Sequence, residues 1–539
     1  MLNHLMPNSP APMPEDVSRE LAAAAVHIEA RRYEAAHAIC VETLKTDPEC
    51  GEAFMLLGVI AADHANHAKA VDLFDAAIGL MPAPARALAL KARSLIALNR
   101  RADAIASAES SAALDPSDAF TLDTLGVVFS RAGLHERATP FYQRATTLHG
   151  TAGQFYNFGA SLQFLGRFDE ARAAYRACLK QAPHHPRAWS SLTQITRATS
   201  AGTDVPALEA AFEARRSDAD DALNLGHALA KVHEDLGNPA EAMRWLANAK
   251  AGKRAAHPYD PTFDDSLFAA AERSTALPPA NGYRGAQPIF IVGMPRTGTT
   301  LADRILSSHS AVTSAGELAD FALQMKRMTG TRSAYVLDDA TLDAAAHIDP
   351  AELGEAYAAS VRNTLGLTGR FIDKMPLNVI LSAHVLRALP DARVICLRRH
   401  PADTVLANYR QLFATSFSYY AYATSLESTA SYYIRFDRLV GRFADSLPPD
   451  RFLELSYETI VTDFEPTVRQ LLDFCSLPFE ESCLSFHENA APVATASAAQ
   501  VRQPLYRSAL DRWKRYRPGI DVALHALIDA GCLPPEALS

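Results

Sequence analysis

The stretch Pro288–His309, PIFIVGMPRTGTTLADRILSSH, decides how the second half of this 539-residue chain is read. Ile289–Val292 is an unbroken apolar run, as found in a strand buried on both faces of a parallel sheet. Gly293 and Gly298 bound a short loop, and from Thr299 onward Leu301, Ile305 and Leu306 recur on one helical face. A strand, a glycine-bounded loop and a helix aim backbone N–H groups and a helix N-terminus at one point, which is how a phosphate is cradled. The loop reads G-x-x-x-x-G-T-T, so Thr299 stands where a nucleotide triphosphatase places its lysine. ATP or GTP hydrolysis, by a kinase or NTPase, is thereby disfavoured. Arg296 supplies a different cation, suited to a bidentate phosphate contact. A purely structural strand-to-helix turn is the competing reading of the loop alone.

Working outward, Arg370–Asp373 (RFID), Arg393–Leu397 (RVICL) and Arg451–Leu455 (RFLEL) read as further strands, separated by helical stretches. That alternation predicts a mostly parallel sheet, whose ligands bind beyond the carboxyl ends of the strands. Arg296, Lys374, Arg398 with Arg399, and Tyr457 all fall at those ends.

At this point the chain resembles a known family. FIVGMPRTGTTL looks like the 5′-phosphosulfate loop of sulfotransferases that use 3′-phosphoadenosine 5′-phosphosulfate (PAPS). SAGEL, DKMP, VICLRRHPAD, LSYETIV and SAAQVRQPLYRSALDRW follow in the family's order. The resemblance covers about residues 286–518. It is nearest to the tyrosylprotein sulfotransferases and their bacterial tetratricopeptide-linked relatives. It implies a P-loop-type α/β fold and a sulfuryl transfer from PAPS to an acceptor hydroxyl, with PAP leaving. Glu317 aligns with the family's catalytic base, Lys374 with its transition-state lysine and Ser497 with its catalytic serine. Ser497 and Trp513 keep the family's separation, with Gln500, Pro504 and Leu510 in register. Arg296, Thr297, Gly298, Thr299 and Thr300 align with the 5′-phosphate ligands, Arg399 with the 3′-phosphate arginine and Tyr457 with the nucleotide-contacting tyrosine. Arg512 takes the place of a family lysine at the 3′-phosphate, and Arg398 is an alternate ligand.

One position departs from the family pattern. A serine usually stands eight residues after the 3′-phosphate arginine; here it is Ala407, followed by Asn408. Losing that hydroxyl contact costs about 1 kcal/mol, for which Asn408 or Arg410 could compensate. The resemblance makes a protein or peptide tyrosine the leading acceptor, with a carbohydrate or small-molecule hydroxyl as the alternative. A tetratricopeptide scaffold carrying a non-catalytic nucleotide-binding domain is the rival from another class. The aromatic run Phe413–Tyr422 (FATSFSYYAY) could line an acceptor site, or form an ordinary helical core face.

The N-terminal half repeats itself. Pro48, Pro82 and Pro116 are each 34 residues apart, and Pro183 follows in nearly the same register. Ala36, Ala70, Ala104, Ala138 and Ala171 hold the period, as do Gly58, Gly126 and Gly159, and Phe74, Tyr142 and Tyr175. Each unit reads as two amphipathic helices, brought close by the small residues and ended by the proline. The period resembles the tetratricopeptide repeat, with five units between residues 17 and 185, a partial sixth and another helical pair at 223–249. The expected architecture is an all-α tetratricopeptide superhelix over residues 15–250. A Pro/Gly-rich linker with one helix near 262–273 follows at 251–286, then a sulfotransferase domain at 287–539. The repeats would either offer a groove to an acceptor protein or peptide, or serve only as a structural array. A homo-oligomer remains open.

Composition narrows the classes further. Hydrophobic residues make up 48 % and charged residues 21 %, which suits packed cores. The net charge of -9 disfavours a nucleic-acid binder. Cys40, Cys50, Cys178, Cys396, Cys475, Cys483 and Cys532 are odd in number and lack a C-x-x-C, so reduced thiols are expected rather than a disulfide scaffold or a zinc site. The 18 histidines show no metal-ligand spacing, so no metal is expected. Prolines interrupt the N-terminus where a signal peptide needs an apolar core, and no run of 18 apolar residues occurs. The expectation is a cytoplasmic protein without a membrane span.

Overall fold

The computed structural model describes residues 15–199, 205–413, 418–489, 491, 501–517 and 519–538. The chain divides into two compact units, Met1–Thr196 and Arg197–Ser539.

The first unit consists of tetratricopeptide-type helix pairs. They are Glu15–Glu29 with Tyr33–Thr46, Gly51–Asp63 with His67–Leu80, Ala85–Ala97 with Arg101–Ala113, Ala119–Arg131 with His135–His149, and Ala152–Phe164 with Phe168–Gln181. Pro186–Ile195 adds a further helix. The turns inside the pairs repeat too, each through a left-handed residue: Arg31, Ala65, Asn99, Gly133 and Gly166. The five periodic alanines are fully buried. The periodic glycines face the periodic aromatics. A Cβ on Gly58 would lie 2.6 Å from the Phe74 ring, on Gly126 2.6 Å from Tyr142, and on Gly159 2.7 Å from Tyr175. In each case the helix can approach the ring because it carries no side chain there.

The second unit begins ahead of the boundary expected at residue 250. Helices Val205–Arg215, Ala219–Asp235 and Pro239–Ala256 belong to it. The physical reason is polar as well as apolar: the buried Lys250 donates to the Ala423 carbonyl at 2.9 Å. The segment expected as a linker holds the helix Pro261–Ser274, near the position anticipated. That helix is no exposed spacer. Leu267, Phe268, Ala270 and Ala271 are buried, and Phe268 meets Tyr432 edge-on at 5.1 Å.

Among the described residues five parallel strands follow: β1 (Ile289–Gly293), β2 (Thr313–Ser314), β3 (Phe371–Asp373), β4 (Arg393–Arg398) and β5 (Phe452–Ser456). Their order across the sheet is β2-β3-β1-β4-β5. The two-residue β2 is too short to leave a sequence signal. Ile291 pairs with Ile395 and Leu397 with Leu455. Ile289, Ile291, Ile372, Ile395 and Leu397 pack with Ile305, Val468 and Leu471 in one core. Phe290, Phe321, Tyr357 and Phe371 form an aromatic cluster, at ring separations of 5.5–6.2 Å. Fully burying one such side chain contributes about 1.5–3 kcal/mol. The chain builds β2 and β3 on one side of β1, then crosses over to build β4 and β5 on the other. That topology opens a crevice at the carboxyl end of β1, where the glycine loop lies.

Candidate active site

The loop after β1 is tight because neighbouring backbone and ring crowd it. Gly293 has φ +144° and a Cβ there would stand 2.5 Å from the Leu397 carbonyl oxygen. Gly298 has φ +104° and a Cβ there would stand 2.6 Å from the Tyr457 ring. Arg296 adopts φ +68°, a left-handed conformation that a non-glycine residue holds only when its surroundings impose it. Two surroundings do so. The buried Thr297 hydroxyl donates to the Met294 carbonyl at 2.8 Å, and the buried Asn408 amide donates to the Pro295 carbonyl at 2.8 Å. Thr299 and Thr300 then open the helix Thr299–Ser307 with Gly298 as its N-cap. Thr297 thus spends its hydroxyl inside the loop. Asn408 braces the loop and accepts from the Tyr422 hydroxyl at 2.9 Å.

Two guanidiniums converge beside this loop. Arg399 follows β4, and its Nη atoms donate to the Arg296 carbonyl at 3.3 Å and the Ala509 carbonyl at 2.5 Å. Desolvation, and then the charge of Arg399, lower the pKa of Arg296. Cations pressed together in this way favour an anion between them. Arg399 lies over the Tyr457 ring, 4.9 Å from its centroid, so Gly298, Tyr457 and Arg399 form one stack. The Asp403 carboxylate is 3.8 Å from Arg399 and accepts from the Trp513 N–H at 2.9 Å. Arg399 Nε, Asp403 Oδ2 and Trp513 Nε1 are buried without a hydrogen-bond partner. Unsatisfied buried polar atoms of this kind mark a place built for a further polar group. Tyr506 was not singled out from sequence. It faces both arginines, whose charges oppose the upward push of burial on its phenol.

Not every predicted cation joins this cluster. Arg398, the last residue of β4, is paired with Asp437 and lies 3.3 Å from Glu454. It points to a structural pairing, away from the loop. Arg512 opens the short helix Arg512–Tyr516 and is paired with Glu234. Arg410 is paired with the same carboxylate.

Past the end of β3 lie Lys374 and, paired with it, Glu317, the residues that the sequence marked as transition-state lysine and base. Lys374 directly follows β3 and is buried, with 2 % of its side chain exposed, whereas Glu317 is 43 % exposed. The Lys374 ammonium donates to Glu317 Oε1. Backbone contacts hold the pair: Lys374 N–H donates to the Gly316 carbonyl at 2.8 Å, and Ala315 N–H to the Ile372 carbonyl at 2.8 Å. Two buried carboxyls stand near. Burial raises Asp303, on the helix Thr299–Ser307, and its Oδ1 is unpartnered. Burial pushes Asp373 up to about 8, and the Tyr357 hydroxyl donates to it at 2.9 Å. Sequence reasoning passed over Asp303, because an acid on an amphipathic helix carries no signal of which face it takes.

Ser497 lies outside the described residues. Of its flanking chain, the Asn489 and Ala491 carbonyls accept from Arg304 at 2.9 and 2.6 Å, and Val501 is buried. Residues 414–417 of the aromatic run also lie outside them. The described part of that run lines a cavity of about 530 Å³ with Tyr259, Phe263, Tyr335, Phe413, Tyr419 and Tyr420 on its wall. Burial, followed by the charge of Glu317, pushes the Tyr420 phenol up to about 12. Among the described residues, no group of His, Cys, Asp and Glu could hold a metal ion, and no helix is long and apolar enough to cross a membrane.

Residues 288–481 match the model of the sulfotransferase family, and residues 21–86 and 156–195 match that of the tetratricopeptide repeat. An uncharacterised protein of Aquifex aeolicus is 34 % identical over 240 residues, covering 44 % of this chain and 31 % of that protein. A protein-tyrosine sulfotransferase of Drosophila melanogaster is 24 % identical over 245 residues, covering 43 % of this chain and 48 % of that protein. The chain thus spans less than half the length of either relative. The solved sulfotransferase domain from the curacin biosynthetic pathway is 19 % identical with a TM-score of 0.33, over 46 % of this chain and 98 % of that one.

Proposed function

We propose that this chain, in which tetratricopeptide repeats precede a sulfotransferase-family segment, transfers a sulfuryl group from PAPS to an acceptor hydroxyl, with a protein or peptide tyrosine as the leading acceptor. The observation that carries the reading is the Glu317–Lys374 pair at the end of β3, in the sheet whose neighbouring strands β1 and β4 end in the glycine loop and Arg399. When bound, PAPS supplies the sulfuryl group: a new S–O bond forms to the acceptor, the S–O bond to the 5′-phosphate breaks, and PAP leaves. The chain's residues do the rest by position and charge. The N–H groups from Thr297 to Thr300 and the start of their helix receive the 5′-phosphate, with the Arg296 guanidinium beside them. Arg399, stacked on Tyr457, receives the 3′-phosphate. Glu317 takes the acceptor's proton; its greater exposure leaves it reachable from the acceptor side. Lys374 would donate to the oxygen that gains negative charge, and Ser497 is its proposed companion donor.

The unpartnered Arg399 Nε and the crowding of Arg296 against Arg399 support an anionic ligand here. The aromatic cavity, whose Tyr420 feels the charge of Glu317, supports a phenolic acceptor, since a phenol ring packs well among rings with its hydroxyl turned to a polar group. Replacing Glu317→Gln tests the assignment. Turnover of a tyrosyl peptide should fall by about 10²–10⁴-fold, while PAP binding by calorimetry persists. Wild-type turnover in that variant would remove Glu317 from the mechanism.

A further inference from the structure

Glu234 sits in the last turn of the helix Ala219–Asp235. A carboxylate there opposes the helix dipole. Something outside the helix must therefore compensate it, and the structure shows what does. Glu234 Oε2 is paired with Arg410 and Oε1 with Arg512, the carboxylate being only 14 % exposed. The two arginines come from distant parts of the fold. Arg410 caps the helix Pro401–Tyr409 that follows Arg399, and Arg512 begins the helix whose Trp513 N–H is held by Asp403 beside Arg399. Asp511 immediately before it has φ +53°, so the turn that delivers Arg512 is itself constrained. Arg410 lies 5.2 Å from the Tyr516 ring centroid, a further restraint on its direction.

Glu234 thus holds two guanidiniums next to the cluster that contains Arg296 and Arg399. It comes from a stretch, residues 196–287, that neither family match includes. One carboxylate against two guanidiniums leaves a surplus positive charge, and a dianionic phosphate suits such a pair better than a carboxylate does.

We propose that Glu234 is a built-in stand-in for the nucleotide's second phosphate: it occupies Arg410 and Arg512 in the free protein, and the 3′-phosphate displaces it on binding. The proposal rests on the nucleotide reading above. It gives the helical pair at 219–256 a role in nucleotide recognition rather than in peptide docking. Displacement also has a consequence for turnover, because the carboxylate competes for both arginines each time product PAP must leave. A nucleotide lacking the 3′-phosphate has nothing to exchange for Glu234, so its affinity does not depend on this residue.

The experiment is calorimetric titration of the full chain with PAP and, separately, with adenosine 5′-monophosphate, for the wild type and Glu234→Gln. The expected result is a PAP affinity raised about tenfold, equivalent to about 1.4 kcal/mol, with monophosphate affinity unchanged. Glu234→Asp, which keeps the charge but shortens the reach, should give a smaller gain and covers the case in which the glutamine variant does not fold. If the wild type prefers PAP but neither variant tightens it, Glu234 is not a competitor and the proposal falls while the nucleotide reading stands. If the wild type shows no preference for PAP over the monophosphate, the nucleotide reading falls and takes the proposal with it.

Discussion

Placing alanine at Gly298 tests whether the glycine loop, Tyr457 and Arg399 act as one stack. Gly298 has φ +104°, outside the range that side-chain-bearing residues adopt readily, and a Cβ would stand 2.6 Å from the Tyr457 ring. Two penalties therefore add. Backbone strain costs about 1–2 kcal/mol, partly offset by about 0.4–1 kcal/mol from a less flexible unfolded chain. The ring must also retreat toward the 3.4 Å at which ordinary contact begins, and overpacking of this kind costs about 1–3 kcal/mol. The ring that must move also carries the Arg399 guanidinium, 4.9 Å from its centroid, so its retreat is expected to shift the cation proposed for the 3′-phosphate. The control is Gly330→Ala. Gly330 ends the helix Asp320–Thr329 with φ +63°, and nothing stands within 4 Å of its Cβ position. It should lose about 1 kcal/mol or less, from strain alone. Gly298→Ala should lose about 2–4 kcal/mol in chemical denaturation and bind PAP at least about tenfold more weakly. Equal stability of the two variants, with PAP affinity intact in both, would refute the stack.

Two buried ionisable groups predict pH effects on stability. Burial lowers Lys250 to about 7, against about 10.4 in an unfolded chain. From pH 7 to 10 the unfolded state therefore holds the extra proton. Stability should rise with pH through that window and be lost as pH falls toward 7; Lys250→Met should flatten this slope in denaturation curves at pH 7 and 9. Asp373 has the opposite sign. Its folded value of about 8 lies above the unfolded value of about 3.9, so the folded state holds the extra proton and stability falls as pH rises from 4 to 8. Asp373→Asn, which can still accept from Tyr357, should melt with less change between pH 5 and 7.5 than the wild type; an unchanged slope would mean the carboxyl ionises freely.

The repeat was legible because one physical requirement recurs. Where the second helix carries a ring, at Phe74, Tyr142 or Tyr175, the first must carry glycine, because any Cβ would lie inside the ring. The third unit shows the rule from the other side. The corresponding positions there are Ala92 and Ala108, both fully buried. Without a ring, no glycine is needed, and a pattern search for glycine alone would miss that unit. The sheet was legible for a similar reason: β1, β4 and β5 are long enough to show an apolar run, whereas β2 has two residues and no pattern to show. The compact units divide ahead of residue 250, and the helices at 219–256 keep a helical period regardless of which unit they pack on. The period reports the element, and only contacts such as Lys250 with Ala423 report its neighbours.

The site divides along the same line. Residues placed by the chain's local course were readable: Arg296 within its loop, Lys374 directly after β3, Arg399 directly after β4 and Tyr457 directly after β5. Their positions follow from strand ends, which sequence patterns mark. Residues whose role depends on what faces them were not. Arg398 and Arg399 are adjacent, but Arg398 ends β4 and Arg399 lies just beyond it, and their side chains meet different partners. One meets Asp437 and Glu454, and the other meets the glycine loop. Asn408 looked like a substitute ligand beside Ala407, yet the Pro295 carbonyl and the Tyr422 hydroxyl occupy it. If Ala407 leaves a contact unmade, the replacement has to come from a charge elsewhere, and Arg410 and Arg512 are the charges that Glu234 keeps in place. The missing serine and the extra glutamate then concern one quantity, the hold on the second phosphate. The affinity ratio of PAP to adenosine 5′-monophosphate measures it directly.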